Sequence, residues 1–169
     1  MSEPVVLIKI VAYDPRWPIL YAEERAQIAA QLGDLVENID HIGSTSVPGL
    51  SAKAITDILV TVARLGSVDP YIEPLRSLGY TYFPILGTAE RYTFGKGIPH
   101  THHLHIVEHG GEEHIRPIAF RDYLRTHSDV AGQYATLKRA LADRFHDDRR
   151  AYNQAKTGFI RSIEAKARG

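Results

Sequence analysis

The chain of 169 residues has no cysteine, which excludes disulfides, thiol nucleophiles and thiolate-bound zinc or iron–sulfur centres. It has no excess of charge either. Twenty Lys and Arg stand against twenty Asp and Glu, so no global field draws it to nucleic acid or a membrane surface, and both are set aside as expected partners. No apolar run approaches the roughly 20 residues a bilayer span needs. The opening MSEPVVLIKIVAYDPRW lacks the basic segment, apolar stretch and cleavage site of a signal peptide, so the expected location is cytoplasmic. Repeats, low-complexity tracts and linkers are missing too. What is present is ordinary for a globular domain, 44% hydrophobic and 24% charged residues, and the length fits a single domain over 1–169.

Hydrophobic periodicity divides the chain into a sheet part, about 1–110, and a helical part, about 112–169. Val5 to Val11 alternates and is β-branched, which predicts a strand. Asp14-Pro15 opens a helix with Trp17, Leu20, Ile28 and Leu32 inward and Glu23, Glu24 and Arg25 solvated. Strands are expected at Val36 to Ile42, Ala54 to Val62, Tyr80 to Leu86, Arg91 to Gly95 and His103 to Glu108. A second helix begins at Asp69-Pro70, with Ile72, Leu75 and Leu78 inward. From Ile115 the period becomes helical and stays so, with a last segment from Ala151 to Ala167. Strands first and helices after make an α+β fold, with the C-terminal helices beside the sheet.

The candidate chemistry begins at His41-Ile42-Gly43-Ser44-Thr45-Ser46. A Gly-Ser-Thr-Ser turn aims N–H groups and hydroxyls at a common point, as anion-binding nests do. It is neither a Walker A loop nor a dinucleotide fingerprint. Lys53 follows closely, and Asp57 interrupts the apolar run from Ile55 to Val60, where a carboxylate is costly unless a cation or strong donors face it. Strand period puts Asp57 and Leu59 on one face. His103 and His105 likewise share a face and form a candidate pair of metal ligands or phosphate donors. His100 and His102 are read as solvated loop residues, and His41 as a neighbour of the turn. In the helical part Arg121 and Arg125, Tyr134 and Lys138, and Tyr152 and Lys156 are each four apart, so each pair shares a helix face. Two Tyr-x-x-x-Lys pairs make either a cationic, phenol-bearing wall over a phosphate or solvated faces with lysines lying along tyrosines.

Taken together, HIGSTSVPGL, SAKAITDILV, HHLHIVE, FRDYLRTHSDVAGQYATLK and YNQAKTGFI, with AYDPRWPILYAEE near the start, resemble the GrpB family over nearly the whole chain. The resemblance implies a nucleotidyltransferase-like mixed sheet with flanking helices. Some relatives are fused to dephospho-CoA kinase, and the biochemical role of the family is largely unassigned. In that superfamily a Gly-Ser turn leads to a strand bearing two acids one residue apart, with a third acid from a later strand. Gly43 and Ser44 match the turn and Asp57 the first acid. Leu59 stands at the second acid, and the later position falls among His103 and His105.

The resulting expectation is a protein that binds a nucleotide or phosphate ligand through Gly43, Ser44, Thr45, Lys53, Arg121, Lys138 and Lys156. Asp57 and Ser44 are the catalytic candidates. A divalent metal (Mg, Mn or Zn) is expected near Asp57, His103 and His105, and His41, Arg125, Tyr134 and Tyr152 are further cleft candidates. If the site is active, metal-dependent nucleotidyl or phosphoryl transfer to an unknown acceptor is the class. The alternatives are a binding module with a degenerate site and a His/Asp metal-dependent hydrolase.

Overall fold

A computed structural model describes residues 7–169. Five strands form one mixed sheet: β1 (Asn38–Ile42), β2 (Thr56–Val62), β3 (Tyr80–Tyr82), β4 (Arg91–Lys96) and β5 (His102–Glu108). Their order is β1-β2-β5-β4-β3. The central pair β2 and β5 is parallel and the other neighbours are antiparallel. Parallel strands need a long connection, and here it holds a helix and the β3–β4 hairpin. The helices are α1 (Trp17–Leu32), α2 (Asp69–Ser77), α3 (Glu112–Thr126), α4 (Ser128–Arg144) and α5 (Arg149–Arg168). The fold is α+β, as the order of patterns predicts.

Side-chain alternation gives the sheet two different faces. Ile39, Ile58, Val60, Phe94, Leu104 and Ile106 form one, and they pack with Ile28, Leu32, Tyr71 and Leu75 of α1 and α2 in the main core. On the other face Ile42, Leu59 and Val107 pack against Ile118 of α3. Asp57 and His103 share that second face and lie beyond this small apolar cluster. A further core holds the chain after the Gly-Ser turn (Val47, Leu50) to Phe120, Leu124, Tyr134 and Ile163 of the three C-terminal helices. The helices are thus fastened to the turn, and this frames the site.

Several sequence expectations are corrected. Val5 and Val6 lie outside the described residues, and the rest of the first expected strand forms only an isolated bridge between Val11 and Ala52. Its Ile8 N–H is spent on the His146 carbonyl instead of a sheet edge. The third strand stops at Tyr82 because Pro84, which has no N–H, opens a 3-10 turn over Pro84–Leu86. In α1 Leu20 is 47% exposed while Glu24 is buried. Trp17, Glu24, Ile28 and Leu32 make the inward stripe, and Glu24 earns its place through partners. It accepts the Tyr80 hydroxyl at 2.8 Å and the Lys96 ammonium at 2.9 Å, with His102 Nε2 at 3.9 Å. His102 is therefore a half-buried strand residue, not a solvated loop residue.

Two histidines are enclosed by sheet packing. His41 faces the α1 side, stacked on Tyr21 at 4.5 Å. Burial, reinforced by Arg125 and Arg121 and opposed by Asp57, lowers its pKa to about 4. His105, on the opposite face, is lowered to about 4 by burial and the Arg91 charge.

Two outcomes are expected. Glu24→Ala leaves Lys96 and Tyr80 without their acceptor and should cost about 3 kcal/mol in urea unfolding; a loss under about 1 kcal/mol would show that the network does not hold α1 to the sheet. The depressed histidine pKa values mean that the unfolded chain binds protons first. The stability they support is complete above pH 6.5 and falls as pH drops toward 4, at about 1.4 kcal/mol per pH unit per histidine. Equilibrium unfolding between pH 7 and 4.5 measures this slope, and His41→Asn should reduce it.

Candidate functional site

The site is assembled where β1 hands over to the Gly-Ser turn. Ile42 pairs with Asp57 across β1 and β2, so the chain leaving β1 passes directly over that carboxylate. Gly43 makes the passage: its φ is +73°, and a Cβ there would lie 2.4 Å from Asp57 Oδ2. Only glycine tolerates both the left-handed backbone and the contact. Ser44–Ser46 then form one 3-10 turn, whose leading N–H groups have no partner inside it. The Ser46 hydroxyl donates to the Gly43 carbonyl and the Thr45 hydroxyl to the Ile55 carbonyl. Thr45 Oγ1 also lies 2.9 Å from His41 Nε2. His41 is thus a support beneath the turn, on the far face of the sheet from Asp57.

Lys138 of α4 reaches under the turn from the other side. Its ammonium donates to Ser44 Oγ at 2.9 Å and to the Ser51 carbonyl at 2.5 Å, and it sits over the Tyr134 ring at 4.7 Å. At 2% exposure it is a buried lysine. On α5 Lys156 lies over the Tyr152 ring at 4.4 Å, and Lys53 approaches the same ring at 5.1 Å. The two Tyr-x-x-x-Lys pairs are therefore a wall and not solvated faces. A cavity of about 340 Å³ opens between that wall and the turn, lined by Gly43, Ser44, Thr45, Lys53, Asp57, His103, Tyr134, Lys138, Tyr152 and Lys156 among others.

The charges in this enclosure repel one another. Burial, with Lys156, Lys53 and Arg139 nearby, lowers the Lys138 pKa to about 7, and Asp57 opposes this. Burial and Lys53 lower Lys156 to about 8, and burial also lowers Lys53 itself. Burial would raise Asp57, but the hydrogen bond and charge of His103, with His105 and Lys53, hold it below the ordinary carboxylate value. Burial pushes the Tyr152 phenol up to about 12. Its hydroxyl has no hydrogen-bond partner among the described residues. Cations crowded until their protonation becomes costly are suited to an added anion.

The structure brings Asp57 and His103 together across the parallel register, with His103 Nδ1 3.4 Å from Asp57 Oδ1. His103 Nε2 in turn lies 3.1 Å from His100 Nδ1. His100 is not a free loop residue, since its ring packs where a side chain on Gly95 would be. His105 is placed elsewhere. Its Nδ1 is 3.1 Å from Thr93 Oγ1, and its strand partner is the buried Leu59. Arg121 and Arg125 do not line the cavity. Arg121 donates to Asp40 and to the His41 carbonyl, and Arg125 to the Ser46 carbonyl, so both clamp α3 to β1 and the turn. Sequence reasoning missed Arg149 and Asn153, which line the cavity at the start of α5. The signal was available, because 149, 153, 156 and 160 fall on one helical face.

These donors do not fit the expected divalent metal. Asp57 already faces His103, Leu59 offers no oxygen, and His105 is turned to Thr93. Among the described residues no group of three or more His, Cys, Asp or Glu could hold a metal ion. Also among them, no helix is long and apolar enough to cross a membrane.

Comparison with known proteins bears on the family and the fold. The chain is 36% identical over 162 residues to the UPF0157 protein YqkA of Bacillus subtilis (strain 168), covering 95% of this chain and 47% of that relative, so it spans about half of YqkA. It is 32% identical over 160 residues to the glutamate-rich protein GrpB of Alkalihalophilus pseudofirmus, with 91% and 92% covered. The crystal structure of GrpB from Enterococcus faecalis superposes with a TM-score of 0.87 at 37% identity, covering 94% of this chain and 96% of that one. Cid1, an RNA terminal uridylyl transferase, matches with a TM-score of 0.53 at 14% identity over 80% of this chain and 44% of its own. That likeness shows the nucleotidyltransferase-like fold alone. The family model for GrpB protein matches residues 7–166, and the chain belongs to the GrpB family.

Proposed function

We propose that this protein binds a nucleotide or a related phosphate ester in the cavity beside the Gly43–Ser44 turn. The observation that carries the reading is the convergence of Lys53, Lys156 and Arg149 on one cavity, with the buried Lys138 ammonium hydrogen-bonded to Ser44 beneath it. The acids lining the same cavity are Asp57, which faces His103, and Glu164, which is paired with Arg161. A polyphosphate supplies the missing negative charge and accepts charge-assisted hydrogen bonds from the ammonium groups.

The division of labour follows from exposure. Lys53 and Lys156 are half-buried and Arg149 is exposed, so these three can meet a ligand. Lys138, tied to Ser44 and Ser51, fixes the turn from below. Asp57 and His103 flank the phosphate end of the cavity. Their carboxylate–imidazole contact at 3.4 Å lies beside a bound ester. Binding is thus better supported than turnover, because Leu59 removes one acid of the superfamily pattern.

Calorimetric titration with ATP and with inorganic tripolyphosphate tests the reading. Lys156→Met should weaken both by about tenfold or more, the scale of a lost charged hydrogen bond, and Lys53→Met should act in the same direction. Unchanged affinity in both variants, or no binding of either ligand by the wild type, would sink the proposal. An anion favours the ammonium form, so Lys156, at about 8 in the free protein, takes up a proton on binding near and above that pH. Affinity should therefore fall as pH rises from 7 to 9, by up to about tenfold per unit once Lys156 is neutral, and Lys156→Met should flatten the profile. Gly43→Ala should abolish binding, because its methyl group displaces Asp57 or the turn.

A further inference from the structure

We propose that Ser44 is a nucleophile activated by Lys138, and that it accepts the phosphoryl group of a phosphate ester bound in the cavity. The proposal rests on the phosphate-binding reading above and adds a reactive atom to it.

The hydroxyls of the turn are not equivalent. Ser46 and Thr45 give their protons to the Gly43 and Ile55 carbonyls. Ser51 Oγ receives the Arg139 guanidinium at 2.5 Å. Ser44 Oγ is the turn hydroxyl set against an amine, 2.9 Å from Lys138 Nζ. The Ser51 carbonyl holds that amine from its other side. As an ammonium, Lys138 donates to Ser44 Oγ. When it is neutral, the same contact lets the hydroxyl donate to the nitrogen lone pair, which is the geometry of a serine–lysine base pair.

The surroundings bring the neutral amine within reach near neutral pH, since they lower the Lys138 pKa to about 7. Lys156 on α5, Lys53 before β2 and Arg139 on α4 repel its positive charge, with Asp57 on β2 as the opposing group. The buried Tyr134 ring beneath it favours the ammonium form and, with Asp57, sets the other side of the balance. Ser44 itself is half-buried and lines the cavity, so an electrophile can reach it. In the step, Ser44 Oγ bonds to phosphorus while the bond from phosphorus to the leaving oxygen breaks. The leaving group departs with that electron pair, as a nucleoside diphosphate if the donor is a nucleoside triphosphate. The Ser44 proton passes to Lys138 Nζ. Lys53 and Lys156 are placed to offset the charge that develops on the phosphate oxygens.

Diisopropyl fluorophosphate tests the nucleophile without requiring the natural donor. It should phosphorylate Ser44, located by peptide mass spectrometry, at a rate that rises with pH and levels off above an apparent midpoint near 7. Ser44→Ala should lose the adduct, and Lys138→Met should slow it by about 100-fold, the lower end of general-base effects. Labelling by Lys138→Met at the wild-type rate, or no adduct on Ser44, would overturn the proposal. Should Lys138→Met not fold, judged by circular dichroism, the wild-type pH profile decides: a rate that keeps rising with hydroxide and never levels off counts against Lys138. ATP titration separates the two readings. ATP binding without a Ser44 adduct removes the nucleophile alone, whereas a Lys138-dependent adduct without ATP binding removes the phosphate cavity.

Discussion

The contact on which this site depends is the passage of the Gly43 backbone over the Asp57 carboxylate. A residue with a side chain cannot make it, since φ is +73° and a Cβ would lie 2.4 Å from the carboxylate oxygen. Everything else follows from that closeness. It brings the 3-10 turn against the end of the parallel strand pair, sets Ser44 at the mouth of the cavity, and leaves the turn open to support from below. That support comes from two directions, His41 under Thr45 and Lys138 under Ser44.

The helical part of the chain completes the site. α4 and α5 carry two of the three lysines, Lys138 and Lys156, and their apolar residues pack against Val47 and Leu50 just beyond the turn. Burying these positions removes the lysines from bulk water and from screening by salt, which is why their charges press on one another. A cluster of this kind costs stability unless a counter-charge arrives. Asp57 is already engaged with His103 and Glu164 with Arg161, so the acids at the cavity do not provide enough. The fold resembles that of nucleotidyltransferases, and in this chain lysines crowd the cavity beside the turn while Leu59 is buried on the strand that carries Asp57.

Much of the site was legible in the chain. The Gly-Ser turn, Asp57 on an apolar strand, and the two Tyr-x-x-x-Lys pairs all meet at one cavity, because short-range spacing fixes which residues share a face. Other assignments failed for reasons that spacing does not carry. The charge of Glu24 predicts a solvated side chain, yet it shares the helical face of Trp17, Ile28 and Leu32 and meets Tyr80 and Lys96, 56 and 72 residues later. Arg121 and Arg125 share a face as expected, but that face meets β1 instead of the cavity. His105 shares its face with His103, yet its ring is committed to Thr93 of the neighbouring strand.

By itself the sequence determined the α+β order, the five strand positions within a few residues, and the turn–carboxylate pair, since each is set by local pattern and backbone chemistry. Only the tertiary structure decided which cations line the cavity, that Lys138 is buried against Ser44, and that Asp57 faces His103. Those outcomes depend on how α3, α4 and α5 dock across the sheet. Docking is fixed by the packing of side chains distant in sequence, which no local pattern records.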